Sequence, residues 1–252
     1  MPMKFQSDDS KPRIGIYLLP NLFTTAGLFA GFYAIVAAME GSFSVAAIAI
    51  FVAMVMDSLD GRVARMTNTQ SAFGAEYDSL ADLTSFGIAP ALVVYSWSLA
   101  SLGKLGWLAA FIYAAAGALR LARFNTQVGI ADKRYFQGLP IPAAAAIIAS
   151  MVWLGNEYAI PGSYISILVA LLTVLVAVLM VSNIRYHSFK QLDLKGRVPF
   201  VAILIMVVVF VLISLDPPKV LFLIFFGYGL SGPVVTLWTL RKTRQLRKHP
   251  PK

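Results

Sequence analysis

Apolar runs about as long as a bilayer is thick recur along this chain, and they limit what it can fold into more than any other feature. They lie at residues 15–39, 43–63, 83–100, 105–122, 139–155, 163–182, 198–214 and 219–239. A helix of about 20 apolar residues crosses roughly 30 Å of hydrocarbon. Composition agrees, with 58% of residues hydrophobic, 13% charged and a mean hydropathy of +0.74, whereas about a quarter of a soluble domain is charged. The predicted fold class is all-α integral membrane, a polytopic bundle of about eight transmembrane helices. The runs at 83–100 and 139–155 are short and contain Pro90, Pro140 and Pro142, which leaves seven as the alternative count.

Charge favours eight. With eight crossings both termini share one face, and that face collects all of the 21 Lys and Arg residues except Lys104 and Lys219. The positive-inside rule then makes both termini and the basic loops cytoplasmic. The opposite loops are short and nearly featureless, so any chemistry is expected on the cytoplasmic side of the cell membrane. The net charge of +9 reads as topology plus attraction to anionic membrane lipids, and no soluble basic surface suggests nucleic acid. The N-terminal "MPMKFQSDDSKPR" is polar, and no small-residue cleavage site follows it, so no removable signal peptide is expected. The organisation predicted is a cytoplasmic N-terminal segment 1–14, one transmembrane catalytic domain 15–240 and a basic cytoplasmic tail 241–252.

Four aspartates interrupt this apolar pattern. Asp57, Asp60, Gly61, Ala64 and Arg65 recur at intervals that place them on one face of the second helix. Gly74, Asp78 and Asp82 are spaced at i, i+4 and i+8 and again share a face. Two helix faces joined by the turn-like "TNTQS" can bring four carboxylates to one point. Such a cluster needs compensating positive charge in low dielectric, and one or two arginines leave an excess of negative charge. With no Cys and two distant His residues, His187 and His249, a metal must be held by oxygen, and a pair of Mg²⁺ or Mn²⁺ ions fits. Asp57 lies about nine residues from the helix end, roughly 13 Å, at the level of lipid phosphates. The competing reading pairs the acids with Arg62 and Arg65 at a helix end. Intramembrane carboxylates in this number are usually functional. Small residues on the acid faces mark either close helix packing or room for a flat ligand.

The stretch "DSLDGRVARMTNTQSAFGAEYDSLAD" at 57–82 resembles the motif D-x2-D-G-x2-A-R-x8-G-x3-D-x3-D of the CDP-alcohol phosphotransferase family, with every fixed position filled. The resemblance implies a six-helix core, here followed by two C-terminal helices, and a homodimer that moves a phosphatidyl group from a CDP-linked lipid to an alcohol and releases CMP. It further implies that Asp57, Asp60 and Asp78 hold the metals and that Asp82, near or on one of them, is the general base. Gly61, Ala64, Arg65 and Gly74 would contact the CDP moiety.

The segments "LPNLFTTAGLFAGFYA", "LTSFGIAPA", "ALRLARFN", "GLPIPAAAA" and "SNIRYHSFK" are similar to the branch of this family that uses CDP-diacylglycerol and L-serine. That similarity spans roughly residues 15–200, and the last two helices carry no chemistry legible in sequence. Serine's carboxylate needs a partner at the cytoplasmic mouth. Arg120 and Arg123, with Asn125, suit that carboxylate or a lipid phosphate, or serve as positive-inside anchors. Arg185 and Lys190 are weaker candidates. Asn21 and Thr24 either line the nucleotide pocket or form an ordinary polar helix start. Three alternatives stay open: transfer to another alcohol such as glycerol 3-phosphate, inositol phosphate or choline, ion-coupled transport, and a purely structural or adaptor role in the membrane.

Overall fold

Alanine decides how closely the first two helices approach. Helix α1 (Ile14–Met39) and helix α2 (Phe43–Met66) form an antiparallel hairpin, the most extensively packed pair in the protein. Ala30, Ala34, Ala37 and Ala38 of α1 and Ala46, Ala47, Ala49 and Ala53 of α2 are all buried, and small side chains let backbones come close where lipid offers no hydrophobic drive. This computed structural model describes residues 14–67, 69–127, 135–187 and 200–248.

The third span differs from the sequence expectation. Helix α3 (Ala72–Asp82), a π-helical segment (Leu83–Ile88) and helix α4 (Ala89–Trp97) follow one another without a break, so one helix runs over Ala72–Trp97. The span therefore starts well before residue 83, and Asp78 and Asp82 sit inside it. Ser71 caps its start, its Oγ accepting a hydrogen bond from the Gly74 N–H at 3.0 Å, which satisfies one of the first-turn donors. Pro90 cannot donate to the carbonyl four residues back, that of Phe86. The buried Tyr113 hydroxyl donates to that oxygen instead, at 3.1 Å.

Helix α5 (Lys104–Gln127), helix α6 (Ile141–Glu157), helix α7 (Ser166–Val181), helix α8 (Phe200–Leu215) and helix α9 (Pro217–Lys248) complete the bundle. Pro140 is the N-cap of α6 and Pro142 falls in its first turn, where a missing N–H costs nothing, so these two prolines mark a helix start, whereas Pro90 lies inside the Ala72–Trp97 helix. Almost every α6 side chain from Ile141 to Val152 is buried, which makes it the central helix. Described side chains of α8 are mostly exposed and apolar, as a lipid-facing helix requires. Leu18–Met39, Phe43–Met66, Ala72–Trp97, Lys104–Thr126 and Pro217–Trp238 are long and apolar enough to cross a membrane, and Ile141–Glu157, Ser166–Val181 and Met206–Leu215 are shorter apolar helices. The protein is an all-α polytopic membrane protein. Helix α9 runs unbroken to Lys248, carrying helix into the basic stretch that begins at 241.

Two short strands lie outside the sequence expectation. Strand β1 (Tyr135–Gln137) pairs antiparallel with strand β2 (Arg185–His187), Tyr135 opposite His187 and Gln137 opposite Arg185. This ladder ties the entrance of α6 to the exit of α7.

Candidate active site

Three of the four acids expected at one point converge there. Carboxylate oxygens of Asp57 and Asp60 on α2 and Asp78 on α3 all lie within 4.8 Å of one another. Asp60 is 5% exposed. Its Oδ2 accepts a 2.8 Å hydrogen bond from Thr24 Oγ1, which also lies 3.2 Å from the Pro20 carbonyl oxygen, so α1 orients one acid of the cluster. Asp82 lines the same small cavity as the other three, together with Thr24, Gly27, Ala53, Ala81, Ser85 and Phe86. The three-oxygen cluster is formed by Asp57, Asp60 and Asp78, and Asp82 stands beside it. Three carboxylates and no sulfur or imidazole make a donor set suited to a hard divalent cation.

A groove with a volume of about 240 Å³ opens next to the acids. Gly61, Ala64, Arg65 and Gly74 line it, as do Asn21 and Thr24, and Asp60 and Asp78 form its inner end. The residues predicted to contact a nucleotide thus share one concavity with two acids of the cluster. A side chain at Gly74 would meet Ser71 Oγ at 3.1 Å and Asn21 Oδ1 at 3.5 Å, so glycine keeps the α3 start open to the groove. Thr69, Gln70 and Ser71 also line it. Sequence reading passed over them because polar loop residues look alike, although a Ser three residues before Gly74 at a helix start is a usable capping signal.

The three residues near the α5 end have separate surroundings. Arg120 is 9% exposed, its Nε has no hydrogen-bond partner, and its charge acts on Asp82. Arg123 donates through its guanidinium to the Val181 carbonyl at 3.2 Å, to Gln137 Oε1 at 3.1 Å and to Asn183 Oδ1. It ties α5 to the β ladder and the α7 exit. Asn125 Nδ2 donates to Ser79 Oγ at 3.0 Å, bridging α5 to α3. Arg185 is exposed in β2, and Lys190 lies outside the described residues.

Three further features complete the surroundings of the acids. Ser85 Oγ donates to the Gly27 carbonyl at 3.1 Å, fixing the π segment to α1. Tyr186 of β2 donates to the Gly229 carbonyl of α9 at 2.9 Å, and burial pushes its phenol up to about 12, so it remains a donor. Tyr228 of α9 interacts electrostatically with Arg120. Helix α9 thus packs on β2, a contact that its apolar sequence did not make legible.

Clustered acids, Asp60 buried and the others half-buried, joined to an open groove define a site in a membrane-protein bundle for a polar, multiply charged group. The chain belongs to the CDP-alcohol phosphatidyltransferase family, whose sequence model matches residues 17–180. It is 40% identical over 196 residues, 78% of this chain and 83% of the relative, to the CDP-diacylglycerol–serine O-phosphatidyltransferase of Helicobacter pylori strain ATCC 700392 / 26695. Identity is 32% over 254 residues, 95% of this chain and 85% of the relative, to the protein of the same name from Mycobacterium tuberculosis strain ATCC 25618 / H37Rv. With the archaetidylserine synthase of Methanothermobacter thermautotrophicus it is 36% over 170 residues, 67% of this chain and 69% of the relative.

Proposed function

We propose that this protein transfers the phosphatidyl group of CDP-diacylglycerol to the hydroxyl of L-serine, releasing CMP. The observation that carries the reading is the convergence of Asp57, Asp60 and Asp78 within 4.8 Å at the inner end of the groove lined by Gly61, Ala64, Arg65 and Gly74. The serine-accepting names of the relatives support the acceptor.

Asp57, Asp60 and Asp78 would hold Mg²⁺ or Mn²⁺, a pair in the charge-balance reading, with Asp82 near or on one of them. When bound, such ions neutralise diphosphate charge and make CMP a better leaving group. Thr24 keeps the Asp60 carboxylate in one orientation. Gly61, Ala64 and Gly74 leave backbone exposed to the CDP moiety, Arg65 supplies positive charge at the groove, and Asn21 lines its wall. Asp82 accepts the proton of the serine hydroxyl. The freed oxygen bonds to the lipid-bearing phosphorus as the bond from that phosphorus to the bridging oxygen breaks, and CMP leaves with that oxygen. Arg120, buried on α5, would supply positive charge for the serine carboxylate. Arg123 and Asn125 serve this site by holding the α5 end in place.

The same reading puts the site on the cytoplasmic side of the cell membrane with both termini cytoplasmic. Residues 15–240 act as one catalytic domain between the 1–14 segment and the 241–252 tail, and two copies form a homodimer among membrane lipids. Purified protein given CDP-diacylglycerol, Mn²⁺ and one alcohol at a time tests the assignment. CMP release should follow L-serine. Release that ignores serine and follows glycerol 3-phosphate, inositol phosphate or choline overturns it.

A further inference from the structure

The loop that joins α2 to α3 brings to the groove a buried hydroxyl whose hydrogen is already committed. Thr69 is 6% exposed and lines the groove together with Asp60, Ala64 and Asp78. Its backbone N–H donates to the Ala64 carbonyl at 3.1 Å, which fixes it against the end of α2. Its Oγ1 lies 2.7 Å from Thr67 Oγ1. Thr67 in turn donates its own hydrogen to the Val63 carbonyl at 2.8 Å. A hydroxyl has one hydrogen and a carbonyl oxygen can only accept, so the contact between the two threonines runs from Thr69 to Thr67. Thr69 Oγ1 therefore has lone pairs and no hydrogen left for a ligand, and among the described residues nothing donates to it. Ser71, also in the groove wall, has the opposite polarity. Its Oγ accepts the Gly74 N–H at 3.0 Å, which leaves its hydrogen to donate.

Whatever binds against Thr69 must bring an N–H or O–H, because buried polar atoms are met by partners. Ala64 stands one turn, about 6 Å, along α2 from Asp60, and helix carbonyls point toward the C-terminal end. Thr69, bonded to the Ala64 carbonyl, thus lies beyond it on the side away from the acids. A nucleoside diphosphate whose phosphates meet Asp60 and Asp78 extends its base toward this loop, with the ribose between. Cytosine presents an exocyclic amine, a donor, where uracil presents an oxygen. The amine satisfies Thr69, whereas the uracil oxygen would face another oxygen in a buried place. Next to the amine, the ring nitrogen of cytosine accepts and suits the Ser71 hydrogen, while that of uracil donates. The polarity of the loop matches one base and opposes the other.

We propose that Thr69 selects the base of the lipid-linked nucleotide by accepting the exocyclic amine of cytosine, its polarity being set from behind by Thr67 and the Val63 carbonyl. The inference rests on the transferase reading above for the presence of a cytidine nucleotide in the groove. Sites that hydrogen-bond a polar substrate group reject the analogue lacking it far more strongly than apolar pockets reject a missing methylene.

The test is calorimetry of CMP and UMP binding to full-length protein in nanodiscs with Mn²⁺, which needs no turnover. The unsubstituted protein should bind CMP at least about tenfold more tightly than UMP. Thr69→Val deletes the acceptor and should weaken CMP binding about tenfold with UMP within about twofold, and Thr69→Ser should keep the preference. Thr67→Val removes the partner that holds the Thr69 hydrogen, so that hydroxyl can turn and donate. UMP binding should then tighten about tenfold with CMP within about twofold. Retained UMP binding and an unchanged melting midpoint report that the variants are folded. Equal losses of CMP and UMP in Thr69→Val overturn the assignment, as does an unchanged preference in either valine variant or no preference in the unsubstituted protein. A protein that shows this binding pattern yet releases no CMP from CDP-diacylglycerol with any alcohol loses the transferase reading and keeps the base subsite.

Discussion

Thr24→Val removes one hydroxyl from the wall of the acid cluster and little else. Thr24 is 5% exposed, as is the Asp60 it faces. Its Oγ1 lies 2.8 Å from Asp60 Oδ2 and 3.2 Å from the Pro20 carbonyl, and its single hydrogen goes mainly to the nearer and charged acceptor. Hydrogen bonds to charged groups contribute about 1.5–3 kcal/mol, and losing one leaves the buried partner without its donor. At about 1.4 kcal/mol per decade that is roughly a 10- to 100-fold effect, the range observed when an outer partner of a metal ligand is removed. Because Asp60 is one of the three convergent carboxylates proposed to hold the cation, the loss should appear as weaker cation binding. CMP release measured against Mn²⁺ concentration should show half-activation shifted upward by about 10- to 100-fold, with turnover at saturating Mn²⁺ near that of the unsubstituted protein. Thr24→Ser keeps the hydroxyl and should restore most of the shift. A valine variant with an unaltered Mn²⁺ midpoint, or one that loses turnover at every Mn²⁺ concentration with the midpoint in place, refutes the reasoning.

Asp82→Asn removes the proposed proton acceptor and should cut turnover by about 100-fold or more while calorimetry finds CDP-diacylglycerol binding nearly intact; retained turnover would remove Asp82 as the base. Gly31→Ala would put a Cβ 2.4 Å from Ser85 Oγ and 2.6 Å from its Cα, an overpacking worth about 1–3 kcal/mol, and should lower the melting midpoint in detergent; no shift would show that α1 and the π segment move apart freely. Tyr113→Phe takes away the donor to the Phe86 carbonyl at a cost of about 1–3 kcal/mol, to be read as a lower melting midpoint with both KM values unchanged. A Phe variant that melts with the parent would mean another donor replaces Tyr113.

Apolar runs of bilayer length are nearly sufficient to predict membrane helices, so α1, α2, α5 and α9 fall close to where the sequence places them. The third span was misjudged because "AFGAEYDSLAD" carries three acids, Glu76, Asp78 and Asp82, and hydropathy alone cannot tell a helix that lines a polar site from a loop. Proline misled at α6 for a related reason, since its meaning depends on where the helix begins. The β1–β2 ladder was invisible. Its strands are three residues each, come from distant segments and are registered by tertiary packing. At the site, the motif was legible because helical periodicity turns spacing into a shared face. Arg120 and Arg123 could not be separated that way. Three residues apart, they differ by about 60° around the helix, enough to bury one beside Asp82 and send the other to Gln137 and Asn183. The role of Tyr113 depends on Pro90, which sits on a different helix and leaves no mark in local sequence.

The π segment after Asp82 explains how one helix serves both the acids and the core. Up to Asp82 the inward face is set by Gly74, Asp78 and Asp82. Beyond it Ser85, Phe86 and Gly87 are buried in succession, then Ala89, Pro90, Ala91, Val93, Val94 and Trp97. An uninterrupted α-helix would present residues 82 and 93 within about 20° of one another, directing at one neighbour both a face meant for the acid cavity and a face meant for apolar packing. The wider π turn accommodates an extra residue and rotates everything after it by about 100° relative to the acids. Its cost is backbone groups out of α-helical register, and these are met from outside the helix. The Tyr113 hydroxyl donates to the Phe86 carbonyl. Ser85 Oγ in turn donates to the Gly27 carbonyl of α1, while Gly31 lets α1 lie directly against Ser85 and Gly117 lets α5 approach within van der Waals contact of Gly87. In this arrangement "LTSFG" gives Ser85 and Phe86 to the wall of the acid cavity. It sets the angle between the proposed base and the core that holds it, so changes there should alter turnover through the position of Asp82 before they alter binding of the nucleotide.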